Sequence, residues 1–124
     1  MTPGPRRGEG RVAAQSGRAA EEIAERLYLG LGGRIAARRW RGGGGEIDLV
    51  VDLGAETVFV EVKARRDLAG AAEALRPAQA ARLARAAEVY LAGREGRACR
   101  FDLVLVDRAG RVERVENALS FDTF

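Results

Sequence analysis

Apolar residues in the first part of the chain recur with the period of an α-helix. Between residues 20 and 31 they follow the i, i+3, i+4, i+7 spacing of one helical face. Ser16 is a suitable N-terminal cap, and Gly30 begins a group of glycines that would end the helix. Glu21 lies at the margin of the apolar face. The pattern predicts an amphipathic helix whose Glu21 side chain can lean toward a neighbouring sheet.

Three candidate strands follow this helix. Residues 34–40 could form the first, and residues 46–51 and 57–63, which are rich in apolar and β-branched residues, could form the second and third. The four consecutive glycines at 42–45 predict a flexible connection between the first two strands. The sequence therefore predicts three strands in succession.

The connection between the second and third strands sets their register. Gly54 and Ala55 suit a two-residue type II′ turn, which places residues whose numbers sum to 109 opposite each other. Because side chains alternate along a strand, charged and apolar residues separate onto two faces. The charged face carries Glu46, Asp48, Glu61 and Lys63, with Asp48 opposite Glu61, and the apolar face carries Ile47, Leu49, Val51, Val58, Val60 and Val62.

The second half of the chain predicts one helix and further strands. Residues 65–76 read as a loop with a short helical turn, and Pro77 suits the start of a second helix. Residues 101–106 are apolar on both faces after Asp102, as in a strand covered on two sides and entered by a helical crossover. Residues 112–115 predict a short edge strand. The predicted fold class is α/β, a three-layer arrangement with a mixed central sheet in α-β-β-β-α-β order.

The length of 124 residues suits a single domain. We expect residues 16–124 to form that domain and residues 1–15, rich in proline, glycine and arginine, to form a flexible tail. No run approaches the roughly 18 apolar residues of a membrane span, and the one cysteine cannot form an internal disulfide. These features predict a cytoplasmic protein that does not enter a membrane.

Histidine is absent, and Lys63 is the one lysine among 21 basic residues. Without imidazole, catalysis would have to use carboxylates, lysine or a bound metal ion. The formal net charge is +3, and much of it lies in residues 1–15. The near-neutral body means that nucleic-acid binding has to be argued from where charges cluster.

Placing Asp48 opposite Glu61 requires an explanation, because like charges across a sheet destabilise it. One solution is an ordinary ion pair with Lys63. The other is a divalent cation, since carboxylate oxygens select hard ions such as Mg²⁺ or Mn²⁺. A cation held by Asp48 and Glu61 beside Lys63, with Glu21 completing its ligands, would form a phosphodiester-cleaving centre. Spacing alone is equally consistent with a solvated, salt-bridged hairpin.

Four sequence blocks together resemble the YraN-like uncharacterised protein family (uncharacterised protein family 0102). That family is similar to the PD-(D/E)xK restriction-endonuclease-like superfamily, which includes archaeal Holliday-junction resolvases. The resemblance implies a restriction-endonuclease-like fold, catalytic positions at Asp48, Glu61 and Lys63, and a helical acid at Glu21. The blocks are Gly17…Glu21-x-x-Ala24, Gly45-Glu46-Ile47-Asp48-Leu49, Phe59-Val60-Glu61-Val62-Lys63-x-Arg65 and Arg100-Phe101-Asp102.

Basic residues near these blocks are candidate phosphate contacts. The run from Arg38 to Arg41 could be a phosphate-binding arm with Trp40 as a stacking platform, or an edge strand with Trp40 packed on the core. Arg65 and Arg66, just beyond Lys63, are placed to hold a backbone phosphate. We therefore predict nucleic-acid contacts at Arg41, Arg65 and Arg66.

Three further polar residues are candidates for contacting and orienting the catalytic and metal-binding side chains: Glu46, Gln79 and Asp102. For Asp102 the favoured alternative is an ordinary pairing with a neighbour such as Arg100. Two positions depart from the family pattern, in which asparagine is usual at Arg39 and lysine at Gln79. The change at Gln79 removes a positive charge that could have contacted substrate.

These features predict a metal-dependent endonuclease acting on DNA, with branched or flapped DNA as candidate substrates. The alternative is a non-catalytic nucleic-acid-binding or adaptor protein that retains the nuclease fold, and a third reading is an interaction module that pairs through an edge strand. A homodimer would be compatible with cutting two strands.

Overall fold

The computed structural model describes residues 4–66, 68, 75–94 and 96–119, with side chains from residue 17 onward. Within these described residues the fold has two helices and five strands. In chain order they are α1 (Gly4–Gly30), β1 (Arg34–Gly42), β2 (Gly45–Leu53), β3 (Glu56–Ala64), α2 (Pro77–Leu91), β4 (Ala98–Val106) and β5 (Val112–Leu119).

Helix α1 is longer than the sequence pattern predicted. It begins at Gly4, so Ser16 lies inside the helix and is not its N-terminal cap. The end at Gly30 agrees with the prediction. The division of the chain into a tail and a domain at residue 16 stays a prediction. Among the described residues, no helix is both long and apolar enough to cross a membrane.

The five strands form one mixed sheet in the order β1-β2-β3-β4-β5. The neighbouring pairs are antiparallel except β3 and β4, which are parallel and joined through α2. Strand β5 continues to Leu119, beyond the predicted short strand at 112–115. Most of the loop predicted at 65–76 falls on residues 67 and 69–74, which lie outside the described residues.

Each face of the sheet is covered by one helix, which gives the predicted three layers. Helix α1 packs on one face through Ala20, Ala24 and Tyr28. Helix α2 packs on the other through a separate apolar cluster that includes Leu83 and Tyr90. The protein is therefore a three-layer α/β protein with a mixed central sheet.

The turn between β2 and β3 has the predicted register. Gly54 has a positive φ of 62°, and the ladder pairs residues from Leu53 with Glu56 to Leu49 with Val60. Each pair sums to 109, as the two-residue turn requires. The register prediction is confirmed over this part of the hairpin.

The prediction that Ile47 shares the face of Leu49 is wrong. Ile47 packs in the cluster beneath α2, whereas Leu49 packs beneath α1. Opposite this step, Arg39 has a φ of 48°, outside the extended region of a regular strand. The β1-β2 hairpin is therefore twisted at Arg39. Beyond this point, toward the glycine turn, Trp40 and Ile47 pack against α2.

Candidate functional site

Strands β2 and β3 separate just past Leu49 and Val60, where their ladder ends. At the next position, the carboxylate of Asp48 accepts a hydrogen bond of 2.7 Å from the backbone N–H of Val62. This side chain takes the place of a strand partner for Val62. The separation opens the end of the sheet and leaves Asp48 beside the buried side chain of Glu61.

Glu61 is a buried acid next to another acid. Burial, followed by the hydrogen bond and negative charge of Asp48, raises the pKa of Glu61 to about 8, while Lys63 acts in the opposite direction. The Nζ atom of Lys63 lies 3.7 Å from Glu61 Oε1. The structure thus brings together the three residues predicted as catalytic.

The raised pKa of Glu61 has a chemical consequence for the pair. Near neutral pH Glu61 keeps its proton, because burial and the adjacent negative charge of Asp48 disfavour its ionised form. A divalent cation could replace that proton and satisfy both carboxylates. The donor set, two oxygen acids without sulfur or imidazole, fits Mg²⁺ or Mn²⁺.

Among the residues that the structure describes, no group of three or more acidic, cysteine or histidine side chains could hold a metal ion. Asp48 and Glu61 would therefore be two protein ligands. This number fits Mg²⁺, which commonly binds through one or two carboxylates together with water and substrate phosphates.

The acid pair opens into a cleft of about 500 Å³ between the end of the sheet and α2. Arg41, Glu46 and the glycine turn form one wall, and Gln79 and Arg82 of α2 contribute to the other. Sequence reasoning missed Arg82. Its spacing of three residues from Gln79, which places the two on the same helical face, could have identified it.

The glycines at 42–45 form a tight turn packed against α2, which corrects the prediction of a flexible connection. Gly42 pairs with Gly45, and Gly43 and Gly44 both have positive φ, as in a type I′ turn. A Cβ atom at Gly45 would lie 2.6 Å from the backbone oxygen of Arg82. Glycine thus allows the hairpin to approach the helix and form the cleft wall.

The remaining acids near the cleft have arginine partners. Arg41 contacts Glu46 at 3.4 Å, on the exposed wall of the cleft. Arg39 contacts Glu21 of α1 at 3.1 Å. The structure therefore pairs Glu21 with Arg39, and it does not gather Glu21 with Asp48 and Glu61 into a three-acid cluster.

Arg65 and Arg66 follow β3 and are both exposed. The Arg65 side chain donates to the backbone oxygen of Ala64, and its backbone N–H donates to Val106. These two arginines do not line the cleft. Their predicted contacts with nucleic acid stay predictions.

Asp102 lies away from the acid pair, in a buried network under α1. Its carboxylate accepts hydrogen bonds from Tyr28 Oη, the Arg100 side chain and the backbone of Asn117. Arg114 adds an ion pair. The predicted pairing with Arg100 is confirmed, and Asp102 connects α1, β4 and β5.

The three aromatic residues beside these sites are packing residues. Trp40 lies edge-to-face on Tyr90, with ring centroids 5.3 Å apart, so the reading of Trp40 as a packed residue is confirmed. Tyr28 and Tyr90 are buried on the apolar faces of α1 and α2. No stacking platform for bases is formed by Trp40 in this arrangement.

The fold and cleft define a three-layer α/β protein with two adjacent acids and a lysine at the splayed end of its sheet. The family model described as "Uncharacterised protein family UPF0102" matches residues 20–106. The chain belongs to this family.

Relatives of the same family match over most of their length. A UPF0102 protein of Cereibacter sphaeroides is 46% identical over 114 residues, covering 90% of this chain and 97% of the relative. One from Ruegeria pomeroyi is 50% identical over 106 residues, covering 83% and 86%. One from Granulibacter bethesdensis is 41% identical over 118 residues, covering 91% and 73%.

Proposed function

We propose that the protein is a metal-dependent nuclease that hydrolyses phosphodiester bonds of DNA in the cleft beside Asp48 and Glu61. The observation that carries the proposal is the buried Glu61 carboxyl, hydrogen-bonded to a second acid and next to the chain's one lysine. A buried pair of this kind is costly for stability and fits functional sites.

Asp48 and Glu61 would hold the cation, Mg²⁺ or Mn²⁺. The bound cation would supply charge neutralisation for the scissile phosphate and lower the pKa of a water molecule. Asp48 is well suited as a ligand because the Val62 N–H fixes its carboxylate. Asp48 also lines the cleft, where a ligand would enter.

Lys63 would orient the attacking water or stabilise negative charge on the phosphate. Its contact with Glu61 places the ammonium group next to the cation ligands. A compact ammonium can approach a phosphate oxygen as a point charge, which the planar guanidinium of arginine does in a different geometry.

Arg41 and Arg82 on the walls of the cleft would bind the phosphate backbone on either side of the scissile bond. Both side chains are exposed, so they can reach a ligand outside the protein. Arg65 and Arg66 would extend this basic surface beyond β3. Contacts of this type position DNA without reading its sequence.

The restriction-endonuclease-like assignment rests on the same arrangement: a hairpin acid, a Glu-x-Lys strand and helices on both faces of a mixed sheet. Cleavage of both strands of a branched or duplex substrate would use two copies of the chain. A homodimer is therefore part of the proposal, with DNA as the partner.

The test uses purified full-length protein with duplex, flapped and four-way-branched DNA. We expect cleavage of at least one substrate with Mn²⁺ or Mg²⁺ and none with EDTA. Asp48→Asn and Lys63→Met should each reduce the rate at least a hundredfold, because the first removes a cation ligand and the second removes the group that orients the water or stabilises charge on the phosphate.

Asp52→Asn is the matched control, because Asp52 lies on the same strand and is paired with Arg34 and Arg97 away from the cleft. Its activity should equal that of the wild type. Cation-dependent cleavage that survives both Asp48→Asn and Lys63→Met would refute the assignment. DNA binding with no cleavage of any substrate would favour a non-catalytic binding protein.

A further inference from the structure

Arg39 occupies the twist of the β1-β2 hairpin, at the register position facing Asp48. Its neighbours in β1 pair with Leu49 and Ile47, on either side of Asp48. Its φ of 48° is uncommon for a residue other than glycine and costs free energy. This conformation directs the Arg39 side chain toward α1, where Glu21 receives it.

Glu21 holds the guanidinium in a fixed orientation. Arg39 Nε donates to both oxygens of Glu21 at 3.1 and 3.2 Å, and Nη2 donates to Oε2 at 3.1 Å. Within the part of the chain that the structure describes, Nη1 has no hydrogen-bond partner. The Arg39 side chain is 55% exposed, so this free edge is open to a ligand.

The guanidinium also lies within the electrostatic reach of the cleft. Glu21 makes the largest contribution to raising the pKa of Arg39, and the charges of Glu46 and Asp48 add to it. The Arg39 guanidinium therefore interacts electrostatically with Asp48, one member of the acid pair. Neither Glu46 nor Asp48 accepts a hydrogen bond from it in the structure.

We propose that Arg39 binds a phosphate group of the nucleic-acid substrate through its free edge, and that Glu21 is a positioning residue for Arg39 and not a cation ligand. The planar fork of arginine matches phosphate oxygens. A carboxylate on the opposite edge holds the fork in place before the ligand arrives. The inference rests on the proposed function, and it names a phosphate contact of that same site.

The proposal predicts a change in DNA affinity that is opposite to the change expected from net charge alone. Glu21→Gln removes a negative charge, so long-range electrostatics alone would strengthen DNA binding. If Glu21 orients Arg39, the same change weakens DNA binding. If Glu21 is a cation ligand, the change weakens Mn²⁺ binding instead.

The first measurement is the affinity of full-length protein for fluorescein-labelled duplex DNA across a salt series, in EDTA and again with Ca²⁺. We compare wild type with Arg39→Asn, because asparagine tolerates a positive φ and preserves the backbone. The affinity should fall by roughly tenfold at moderate salt, and the slope of log affinity against log salt should fall by roughly one.

Arg34→Gln is the matched control, since Arg34 is an arginine of the same strand paired with an acid at the opposite end. Its salt slope should equal that of the wild type. A salt slope that is unchanged in Arg39→Asn overturns the phosphate contact, because a merely structural residue would not alter the number of ions released.

The second measurement concerns Glu21. Glu21→Gln should weaken DNA binding about threefold in the wild-type background, part of the roughly tenfold effect of one phosphate contact. It should have no such effect in Arg39→Asn. Mn²⁺ affinity, measured by calorimetry without DNA, should equal that of the wild type. Tighter DNA binding or weaker Mn²⁺ binding by Glu21→Gln overturns the positioning role.

The two proposals fail in different ways. An unchanged salt slope in Arg39→Asn, with Asp48-dependent cleavage intact, overturns the role of Arg39 and leaves the nuclease proposal standing. If the salt slope is reduced in Arg39→Asn and the wild-type protein binds DNA without ever cleaving it, the nuclease proposal is overturned and the role of Arg39 stands. No measurable DNA binding with either EDTA or Ca²⁺ overturns both.

Discussion

Two buried acids on opposite sides of the sheet have contrasting surroundings. The Asp102 side chain, under α1, is fully buried and has hydrogen bonds or ion pairs with Tyr28, Arg100, Arg114 and Asn117. Glu61, toward α2, has a side chain that is 10% exposed, and its neighbours are an acid and one lysine. Both are acids in a low-dielectric environment, and only the first has a full set of positive partners.

The contrast separates a structural acid from one available for chemistry. Asp102 is compensated by two guanidinium groups and two further donors, so it needs no added ligand and connects three elements of the fold. Glu61 is under-compensated, and a proton or a cation would stabilise it. A buried acid points to function when its environment is incomplete, and burial alone does not identify the site.

The largest expected effect is on the Asp102 network. Asp102→Ala should lower the free energy of unfolding by about 3 to 5 kcal/mol, because it removes the fully buried partner of two partly buried arginines and of the Tyr28 hydroxyl. Arg100 and Arg114 would keep only their more exposed partners, Glu56 and Glu116. Urea denaturation checks this. Asp52→Ala is the control, since Asp52 pairs with two arginines nearer the surface, and it should cost under about 1 kcal/mol. Equal losses in the two variants would contradict the distinction.

The acid pair should control how stability depends on pH. Folded Glu61 keeps its proton up to about pH 8, whereas an unfolded glutamic acid loses it near 4.5. Between these values the folded state binds more protons, so the free energy of unfolding falls as pH rises, by on the order of 2 to 4 kcal/mol.

Denaturation at pH 5, 6, 7 and 8, without divalent cations, measures this decrease in the free energy of unfolding. Because the chain has no histidine, no imidazole group titrates in this pH range. Asp48→Asn keeps an acceptor for Val62 N–H and removes the charge, so the slope should become smaller, and the part that comes from the burial of Glu61 should remain. If the slope of unfolding free energy against pH is unaltered in Asp48→Asn, the pairing of Asp48 with Glu61 does not cause the pH dependence of stability.

A bound cation should stabilise the acid pair and leave the Asp102 network unaffected. Mn²⁺ at about one hundred times its dissociation constant should add about 2.7 kcal/mol to the free energy of unfolding. Binding near neutral pH should release roughly one proton, because the cation replaces the proton held by Glu61.

Calorimetry in two buffers of different ionisation enthalpy measures the proton release. Asp48→Asn should abolish Mn²⁺ stabilisation, and Asp52→Asn should retain it. Equal stabilisation of the wild type and Asp48→Asn would place the cation elsewhere.

The smallest effect comes from removing one partner of Asp102. Tyr28→Phe deletes a hydroxyl that donates to Asp102 at 2.6 Å and leaves the arginines in place. We expect a loss of about 1 kcal/mol in the free energy of unfolding, the contribution of one hydrogen bond. Cleavage and Mn²⁺ affinity should be unchanged. A loss of Mn²⁺ binding would show that the two regions are coupled.

Local patterns in the chain were sufficient to predict the central hairpin. Gly54 predicts a two-residue turn, and the turn dictates the pairs from Leu53 with Glu56 to Leu49 with Val60. With that register, alternation brings Asp48 and Glu61 to one site. The prediction succeeded because turn geometry and strand alternation act between residues close in sequence.

The same alternation failed at Ile47. A regular strand would place Ile47 beside Leu49, and the structure places it under α2 because the hairpin twists at Arg39. Arginine at position 39 does not itself indicate a positive φ, which glycine or asparagine usually adopts, whereas the asparagine of the family pattern at this position would have indicated it. Near the twist, Arg39 contacts Glu21 of α1, and Gly45 approaches the backbone of Arg82 in α2.

The amino-acid sequence by itself determined the sheet-forming segments, the register of β2 with β3, and the grouping of Asp48, Glu61 and Lys63. Tertiary structure alone decided that Glu21 pairs with Arg39, that Arg82 lines the cleft, and that Asp102 is compensated by residues from α1, β4 and β5. The physical reason is the sequence separation of the interacting residues. Turns and strand alternation depend on residues adjacent in sequence, whereas burial and charge compensation depend on which distant elements the folded core brings together.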